Sequence, residues 1–308
     1  MKALRDVFGE MLVEIGTTNP DLLVLDGDLA TSTKADTFDQ AFPERFLQMG
    51  IAEQNMVGTA AGLATLGFVP WLSSFAVFFT HRALDSVRLQ VAQTRANVKI
   101  GAAYAGLLTG LTGKTHQDVQ DLAIMRAMPN MTVLAPGDAI ECRAMMHWAS
   151  DYVGPVYLRL ARDPGPAIFD EGYRFTPGAT YRLRDGHDVL LISTGPQTVR
   201  CLEAATSLAE GGISTGVLHV PSIKPVDTAS IVEAAAQASL VVTVEEHTIY
   251  GGLGGLVAEV LSASAPKRVL RIGIEDCWGE SAPNDFLLDN YGLSAGRIVE
   301  RVKKEIAA

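Results

Sequence analysis

One acidic residue, Glu53, lies in a stretch of chain that is otherwise apolar, small or amide-bearing. The stretch reads Gly-Ile-Ala-Glu-Gln-Asn-Met over residues 50–56, and small and apolar residues continue to residue 64. A helix with so little charge is expected to be buried, and a buried carboxylate needs a partner. Two interpretations fit the run equally well: a carboxylate that chemistry requires, or a helix-start acid stabilised by the helix dipole.

An aromatic pair, Phe75 and Phe78, follows a predicted strand in the run Ser-Ser-Phe-Ala-Val-Phe-Phe-Thr-His over residues 73–81. The spacing of three places both rings on one face of a helical turn. Two such rings could sandwich a flat heterocycle by stacking. Taken alone, the pair is also compatible with ordinary core packing.

Three further segments carry polar groups that could bind a ligand. The loop of residues 26–32 follows the first strand, and ligands bind beyond the carboxyl ends of parallel strands. The loop of residues 110–117 contains Lys114, a possible anion partner, and His116, which can move a proton near neutral pH. Arg162 lies two residues after another predicted strand, and its planar fork suits a phosphate. A local turn, a solvated His and a solvated Arg are the alternative interpretations of these segments.

The elements that must position these residues alternate between strands and helices. In the first part of the chain we predict strands at Leu22–Leu25, Val69–Phe75, Val98–Tyr104, Thr132–Ala135 and Val156–Leu160. We predict helices at Leu4–Ile15, Asn55–Leu66, Phe79–Thr94, Val119–Met128 and Ile140–Ser150. This alternation indicates an α/β fold with a mainly parallel sheet flanked by helices.

The alternation stops in a stretch rich in Pro and Gly and then resumes. We therefore predict a first α/β domain over residues 1–162, a linker over 163–186, and a smaller second α/β domain over 187–308. The second domain has predicted strands at Val189–Ser193, Ser214–His219, Leu240–Val244 and Val269–Ile274. Its predicted helices are Thr198–Ala209, Thr228–Ala236, Leu253–Ala263 and Ser294–Ile306.

The composition excludes several classes of protein. A net charge of −10 and the lack of a Lys/Arg cluster argue against nucleic-acid binding. No run approaches the roughly 20 apolar residues of a membrane span, and the N-terminus has no apolar signal core, so a cytoplasmic location is expected. The three cysteines have no paired metal or disulfide spacing, and we expect buried free thiols.

The Glu53 run resembles the signature of transketolase-type thiamine diphosphate enzymes. The resemblance implies that Glu53 hydrogen-bonds the aminopyrimidine of the cofactor. It further implies that Phe75 and Phe78 enclose that ring, with His81 standing where the family has Tyr. Asp28 matches a family residue that approaches the cofactor.

The same resemblance assigns substrate contacts. Ser32 and Arg162 match phosphate-binding positions, and His116 lies in a Thr-His-Gln run whose His faces the substrate; Lys114 is a further candidate for an anionic group. Thr112 stands where the family usually has an acid, and Tyr104 where it has a His. Because those two family residues bind sugar hydroxyls, the sugar is left open. The second domain also resembles transketolase C-terminal domains, through Val-Glu-Glu-His at 244–247 and Gly-Gly-Leu-Gly-Gly at 251–255, a segment whose implied role is mainly structural.

The resemblance covers only the C-terminal half of a transketolase. The chain lacks the Gly-Asp-Gly…Asn signature that binds Mg²⁺ and the cofactor's diphosphate. It therefore resembles one subunit of a split enzyme that transfers a two-carbon ketol group between sugars. A partner chain would supply the missing signature and hold most of the diphosphate and the Mg²⁺. A two-plus-two heterotetramer is expected, with residues 55–66 as the main contact helix.

Three other functions compete with this interpretation. A beta chain of a 2-oxoacid dehydrogenase has the same layout, and 1-deoxy-D-xylulose 5-phosphate synthase is normally one long chain. A partner subunit that keeps the fold without activity is the third. The Thr-His-Gln run, with Asp121–Arg126 after it, favours the transketolase.

Overall fold

The computed structural model, which describes residues 1–307, contains two α/β units. The first unit comprises Met1–Ala105 and Ile124–Phe175, and the second comprises Gly106–Ala123 and Thr176–Ala308. Residues 106–123, which we included in the first domain on the basis of sequence, therefore pack with the second unit.

Parallel strands form the main sheet of the first unit. The strands of this unit are β1 (Lys2–Ala3), β2 (Leu22–Asp26), β3 (Phe46–Gln48), β4 (Val69–Phe75), β5 (Lys99–Ala103), β6 (Thr132–Leu134), β7 (Val156–Leu160) and β8 (Pro164–Gly165). Within the unit they run in the order β6-β7-β5-β4-β2-β3 and every pair is parallel, whereas β1 and β8 form a separate antiparallel pair. The predicted fold class is confirmed.

Helices and tight turns connect these strands. The helices are α1 (Leu4–Thr18), α2 (Ala30–Thr33), α3 (Asp36–Ala41), α4 (Glu53–Thr65), α5 (Leu84–Ser86), α6 (Asp121–Ala127) and α7 (Ala139–Asp151). A 3-10 turn covers Pro43–Arg45, and π-helical segments cover Phe78–Arg82 and Val87–Ala92. The sequence predicts one regular helix over residues 79–94, and the structure differs there. Each π-helical segment spans only one or two turns, and apolar spacing over so short a stretch does not distinguish an α-helix from a π-helix.

The second unit has a smaller sheet. The strands in this unit are β9 (Tyr181–Arg184), β10 (Val189–Ser193), β11 (Thr215–His219), β12 (Ser222–Lys224), β13 (Leu240–Thr248) and β14 (Val269–Ile274), and all but β12 form the smaller sheet. Its helices are α8 (Gln197–Glu210), α9 (Thr228–Ala236), α10 (Leu253–Ser264), α11 (Asn284–Asn290) and α12 (Ala295–Ile306), with a 3-10 turn at Gly110–Thr112. The sheet order is β14-β13-β10-β11-β9, and only β9 is antiparallel. This edge strand lies at the end of the predicted linker.

Two adjacent acidic residues in the second half of β13 bind backbone N–H groups of two other segments of the second unit. Glu245 accepts hydrogen bonds from the backbone N–H groups of Leu253 and Gly254, at 2.6 and 2.8 Å, at the start of α10. Glu246 accepts from the N–H groups of Leu107 and Leu108, at 2.7 and 2.9 Å. Both carboxylates are buried, so they satisfy donors that water cannot reach.

Two observations concern the expectations from composition. No helix among residues 1–307 is both long and apolar enough to cross a membrane. Cys142 and Cys201 are buried, and burial raises the pKa of Cys201 to about 12. Cys277 is exposed, so the expectation of buried thiols is wrong for this residue, which lies in the irregular segment after β14.

Candidate active site

The carboxyl ends of four neighbouring strands meet at one edge of the first unit's sheet. Asp26 of β2 pairs with Ser73 of β4, Phe75 of β4 pairs with Ala103 of β5, and Ala103 pairs with Leu160 of β7. The residues that follow these strand ends are the ones that the sequence selects. A ligand in a parallel α/β sheet is expected at this edge.

Glu53 is the first residue of α4, and its side chain is fully buried. Its Oε1 accepts a hydrogen bond from Ser74 Oγ at 3.1 Å, and its Oε2 accepts one from Arg82 Nη1 at 2.6 Å. Gly27 leaves room for this group, because a Cβ there would lie 3.3 Å from Glu53 Oε1 and 3.1 Å from Ser74 Oγ. The predicted burial and the need for a partner are both met, and the helix-start interpretation also describes the position.

Three aromatic rings lie close to one another at this edge. The centroids of Phe75 and Phe78 are 6.0 Å apart at an interplanar angle of 14°, and those of Phe75 and Tyr104 are 4.1 Å apart at 18°. The guanidinium carbon of Arg82 lies 4.2 Å from the Phe78 centroid. Tyr104 follows β5 with a positive φ of 57°, which directs the backbone out of the strand. The predicted pair is therefore part of a larger aromatic cluster.

A second cluster surrounds the phenol of Tyr104. Arg5 Nη1 donates to the Tyr104 hydroxyl at 2.6 Å and to the backbone carbonyl of Ser32 at 3.1 Å. The guanidinium carbons of Arg5 and Arg162 each lie 5.6 Å from the Tyr104 centroid. Arg162 also pairs with the neighbouring Asp163, Nη1 to Oδ1, at 3.2 Å. The structure thus brings three of the predicted substrate residues together with a second arginine.

The loop after β2 is held by Asp26 rather than by Asp28. The buried carboxyl of Asp26 accepts hydrogen bonds from Leu29 N, Gln48 Nε2 and Ser73 Oγ. Burial raises the pKa of Asp26, and these donors oppose the shift. Asp28 is exposed, has a φ of 65°, and its backbone N–H is bonded to Gln48 Oε1 at 3.0 Å. Asp28 is thus presented to solvent at the strand edge.

The remaining predicted residues divide between the two units. His81 is exposed on the π-helical segment of the first unit. Thr112, Lys114 and His116 share one loop of the second unit, where Thr112 and Lys114 are exposed and His116 is half-buried. His116 Nδ1 lies 2.8 Å from Thr115 Oγ1, a hydrogen bond that can orient the imidazole.

Sequence reasoning missed Arg5, Ser74 and Arg82. Ser74 lies in the run of residues 73–81, and Arg82 follows it directly. A buried carboxylate needs hydrogen-bond donors, and a search for donors to Glu53 near this run could have found both residues. Arg5 gave no signal, because 99 positions separate it from Tyr104 in the sequence.

Thiamine diphosphate has an aminopyrimidine ring that needs a carboxyl partner and an aromatic face. Glu53 supplies the first, and Phe75 and Phe78 supply the second, so the residues fit this end of the cofactor. Among residues 1–307, no group of three or more His, Cys, Asp or Glu side chains is arranged to hold a metal ion.

Two family models match the chain. The pyrimidine-binding domain of transketolase matches residues 1–166, and the C-terminal domain of transketolase matches residues 178–298. A solved split-gene transketolase, in an inactive beta4 tetramer, superimposes with a TM-score of 0.91 at 45% identity. The match covers 99% of this chain and 98% of that one.

Curated relatives extend this similarity. A putative transketolase C-terminal section of Methanocaldococcus jannaschii is 44% identical over 99% of this chain and 98% of that protein. A 6-deoxy-6-sulfo-D-fructose transketolase subunit of a Clostridium species is 38% identical over 96% and 92%. A 1-deoxy-D-xylulose-5-phosphate synthase of Chlorobium luteolum is 36% identical over 97% of this chain and 48% of that protein. The chain therefore belongs to the transketolase family, as the C-terminal section that corresponds to one subunit of a split transketolase.

Proposed function

We propose that this chain is the C-terminal subunit of a two-polypeptide, thiamine-diphosphate-dependent transketolase, which moves a two-carbon ketol group between sugars that carry a terminal anion. The observation that carries the proposal is the fully buried Glu53 carboxylate at the carboxyl edge of a parallel sheet, bonded to Ser74 next to Phe75 and to Arg82 on the ring of Phe78. The match to the transketolase pyrimidine-binding domain supports it.

The predicted cofactor and substrate residues have distinct roles in this proposal. When bound, thiamine diphosphate supplies the nucleophilic carbon that takes up the ketol group. Glu53 holds a proton at the ring nitrogen of the aminopyrimidine, Phe75 and Phe78 fix the plane of that ring, and Asp28 and His81 make further contacts with the cofactor. His116 moves a proton at a substrate hydroxyl.

The substrate's anion is assigned to the cluster around Tyr104. Arg5 and Arg162 each have an Nε without a hydrogen-bond partner within residues 1–307, so both guanidinium groups retain a donor. Two guanidinium groups near the Tyr104 ring, one of them bonded to the Ser32 carbonyl, suit a phosphate or a sulfonate. The similarity to a subunit that acts on a sulfo-sugar supports an anionic sugar other than a standard pentose phosphate. Thr112 and Lys114 remain candidates for further substrate contacts.

We assign the diphosphate and Mg²⁺ to an N-terminal subunit that carries the Gly-Asp-Gly…Asn motif. Exposed apolar side chains flank α4, since Ile51 is 71% and Leu66 74% exposed. An obligate interface is expected to bury such groups. The similarity to a beta4 tetramer described as inactive supports a chain that assembles without its partner and requires that partner for activity.

Reconstitution tests the proposal. The chain and an N-terminal transketolase subunit are purified separately, then mixed with thiamine diphosphate, Mg²⁺ and a panel of phosphorylated, sulfonated and neutral ketoses. Ketol transfer is expected only in the mixture and only from ketoses with a terminal anion. Tight Mg²⁺-dependent binding of thiamine diphosphate by the isolated chain, or equal rates with neutral ketoses, contradicts the proposal.

A second candidate is a carboligase with a 2-oxoacid donor, because a 1-deoxy-D-xylulose-5-phosphate synthase is 36% identical to the chain. The donor separates the two reactions. Release of CO₂ from pyruvate by the mixed subunits would favour this alternative, whereas a ketose donor without CO₂ release favours ketol transfer.

A further inference from the structure

Arg82 makes two contacts at the site that the proposed reaction does not use. Its Nη1 donates to Glu53 Oε2 at 2.6 Å, and its guanidinium carbon lies 4.2 Å from the centroid of Phe78. The side chain of Arg82 is 40% exposed, whereas that of Glu53 is fully buried. The ion pair therefore joins a carboxylate that cannot reach water to a cation that can.

These two contacts have the chemistry that an aminopyrimidine needs. A guanidinium is flat, has N–H donors along its edge and stacks on aromatic faces. A 4-aminopyrimidine protonated on its ring is also flat, and it presents a ring N–H donor in its plane. Both groups can donate an in-plane N–H to a carboxylate while one face lies against an aromatic ring.

Arg82 and an aminopyrimidine would compete for the same contacts at Glu53 and Phe78. One face of Phe75 is covered by Tyr104, with ring centroids 4.1 Å apart. The centroids of Phe75 and Phe78 are 6.0 Å apart, and a third ring between them needs about 7 Å, or two contacts of about 3.5 Å. Arg82 lies against Phe78 and uses Glu53 Oε2, so a ring that takes these same two contacts must displace it.

We propose that Arg82 is a displaceable occupant of the aminopyrimidine position, which neutralises Glu53 until the cofactor arrives. The inference rests on the proposed function, since it assumes that the aminopyrimidine binds at Glu53. Before binding, Arg82 compensates a buried charge that would otherwise destabilise the fold. On binding, its half-exposed guanidinium moves into solvent. The affinity of the site is reduced by the fraction of molecules in which Arg82 occupies it.

The test uses the full chain alone and 4-amino-2-methylpyrimidine as the probe, with binding followed by ligand-observed NMR. We expect Arg82→Ala to bind the probe at least tenfold more tightly than the unmodified chain does. Methylguanidinium should compete with the probe in Arg82→Ala, because it restores the missing group. The double variant Glu53→Gln/Arg82→Ala should lose the gain in affinity.

Arg88→Ala is the matched control. It removes the same charge from a residue that pairs with Asp85 at 2.7 Å, and it should bind the probe as weakly as the unmodified chain. Arg82→Gln, which keeps a planar donor and loses the charge, replaces Arg82→Ala if circular dichroism shows that the latter is unfolded. Equal affinity of the variant and the unmodified chain, or no competition by methylguanidinium, overturns the inference.

The experiment separates this inference from the proposed function. Probe binding that depends on Glu53 and Arg82, combined with a reconstituted enzyme that fails to transfer ketol groups, would reject only the reaction. Ketol transfer combined with unchanged probe binding in Arg82→Ala would reject only the displaceable occupant.

Discussion

Glu53 and Arg162 are both charged residues at the sheet edge, but their environments differ. The carboxylate of Glu53 is fully buried and has two donors from the chain, whereas the side chain of Arg162 is 39% exposed beside Asp163. A carboxylate that is shielded from water suits control of a proton. A half-exposed guanidinium suits the binding of an anion that arrives from solvent.

For Glu53→Gln, we expect the exchange of the thiamine C2 proton in the assembled enzyme to slow by about 10²- to 10⁴-fold, the usual contribution of a general acid–base group. The amide keeps the size of the side chain and loses the carboxyl proton. Hydrogen–deuterium exchange followed by NMR measures the rate. Exchange at the unmodified rate would remove Glu53 from cofactor activation.

For Arg162→Ala, the loss of a charge-assisted hydrogen bond should weaken binding by about 1.5–3 kcal/mol, which corresponds to a rise in KM of about 10- to 150-fold. A smaller change in kcat is expected if the contact is equally strong in the ground and transition states. Steady-state kinetics on an anionic and a neutral ketose measure the effect, with Arg301→Ala, which pairs with Glu275, as the control. An unchanged KM for the anionic ketose would contradict the assignment.

At the residue scale, the sequence predicts residues whose environment follows from their neighbours in the chain. It misses residues whose long side chains contact partners that are distant in the sequence. The burial of Glu53 follows from the lack of neighbouring charge. The substrate roles of Tyr104 and Ser32 come from the resemblance, whereas Arg162 is also selected for its phosphate-compatible fork, and the structure brings the three residues to one cluster. Arg5 gives no signal, because its long side chain reaches a partner with no fixed spacing in the sequence, whereas Arg82 could have been sought as a donor to the buried Glu53.

At the level of elements, the Glu-Glu-His and glycine segments of the second unit together form the N-terminal cap of α10. The carboxylate of Glu245 caps α10, and the glycines allow it to approach. A Cβ at Gly252 would lie 2.1 Å from Glu245 Oε2, and one at Gly254 would lie 2.9 Å from Oε1. The run therefore serves a helix N-terminus rather than a nucleotide.

Glu245→Ala should lower the free energy of unfolding by about 3 kcal/mol, because two buried N–H groups lose a charged acceptor. Urea denaturation measures the change, and amide hydrogen exchange at Leu253 and Gly254 locates it. Glu210→Ala, at an exposed helix end in the same unit, should stay within about 0.5 kcal/mol of the unmodified protein. A loss below about 1 kcal/mol for Glu245→Ala would reject the capping role.

The alternation of apolar runs was sufficient to predict most of the regular elements. Strand β4 and the first five residues of β13 carry a strong apolar signal, whereas the polar end of β13, residues 245–248, is not predicted as strand. The sequence predicts a linker at the edge strand β9, because none of its residues is fully buried and its sequence, Tyr-Arg-Leu-Arg, is half cationic. Edge strands of this kind carry charged side chains that limit pairing with other chains. The same charges interrupt the apolar pattern by which a strand is predicted from sequence.

At the level of the whole molecule, exposed apolar residues at the ends of α4 are the proposed contact with the N-terminal subunit. We expect Leu66→Asp to weaken assembly with the N-terminal subunit about tenfold or more, since burying one Leu contributes about 1.5–3 kcal/mol. Light scattering and titration of the two subunits measure the effect. Val153→Asp changes an equally exposed apolar residue of the same unit and should have no effect. Equal weakening by both variants would exclude α4 as the specific contact.

The hydrogen bonds from Leu107 and Leu108 to Glu246 have a consequence for biosynthesis. The acceptor is 139 residues further along the chain than Leu107. At about 5–20 residues per second, a ribosome needs about 7–28 s to add it. During that interval the segment Gly106–Ala123 has been made, but the unit to which it belongs has not. A nascent or truncated chain that ends near residue 166 would carry this segment without its acceptor, so we expect such a fragment to be held by chaperones or degraded.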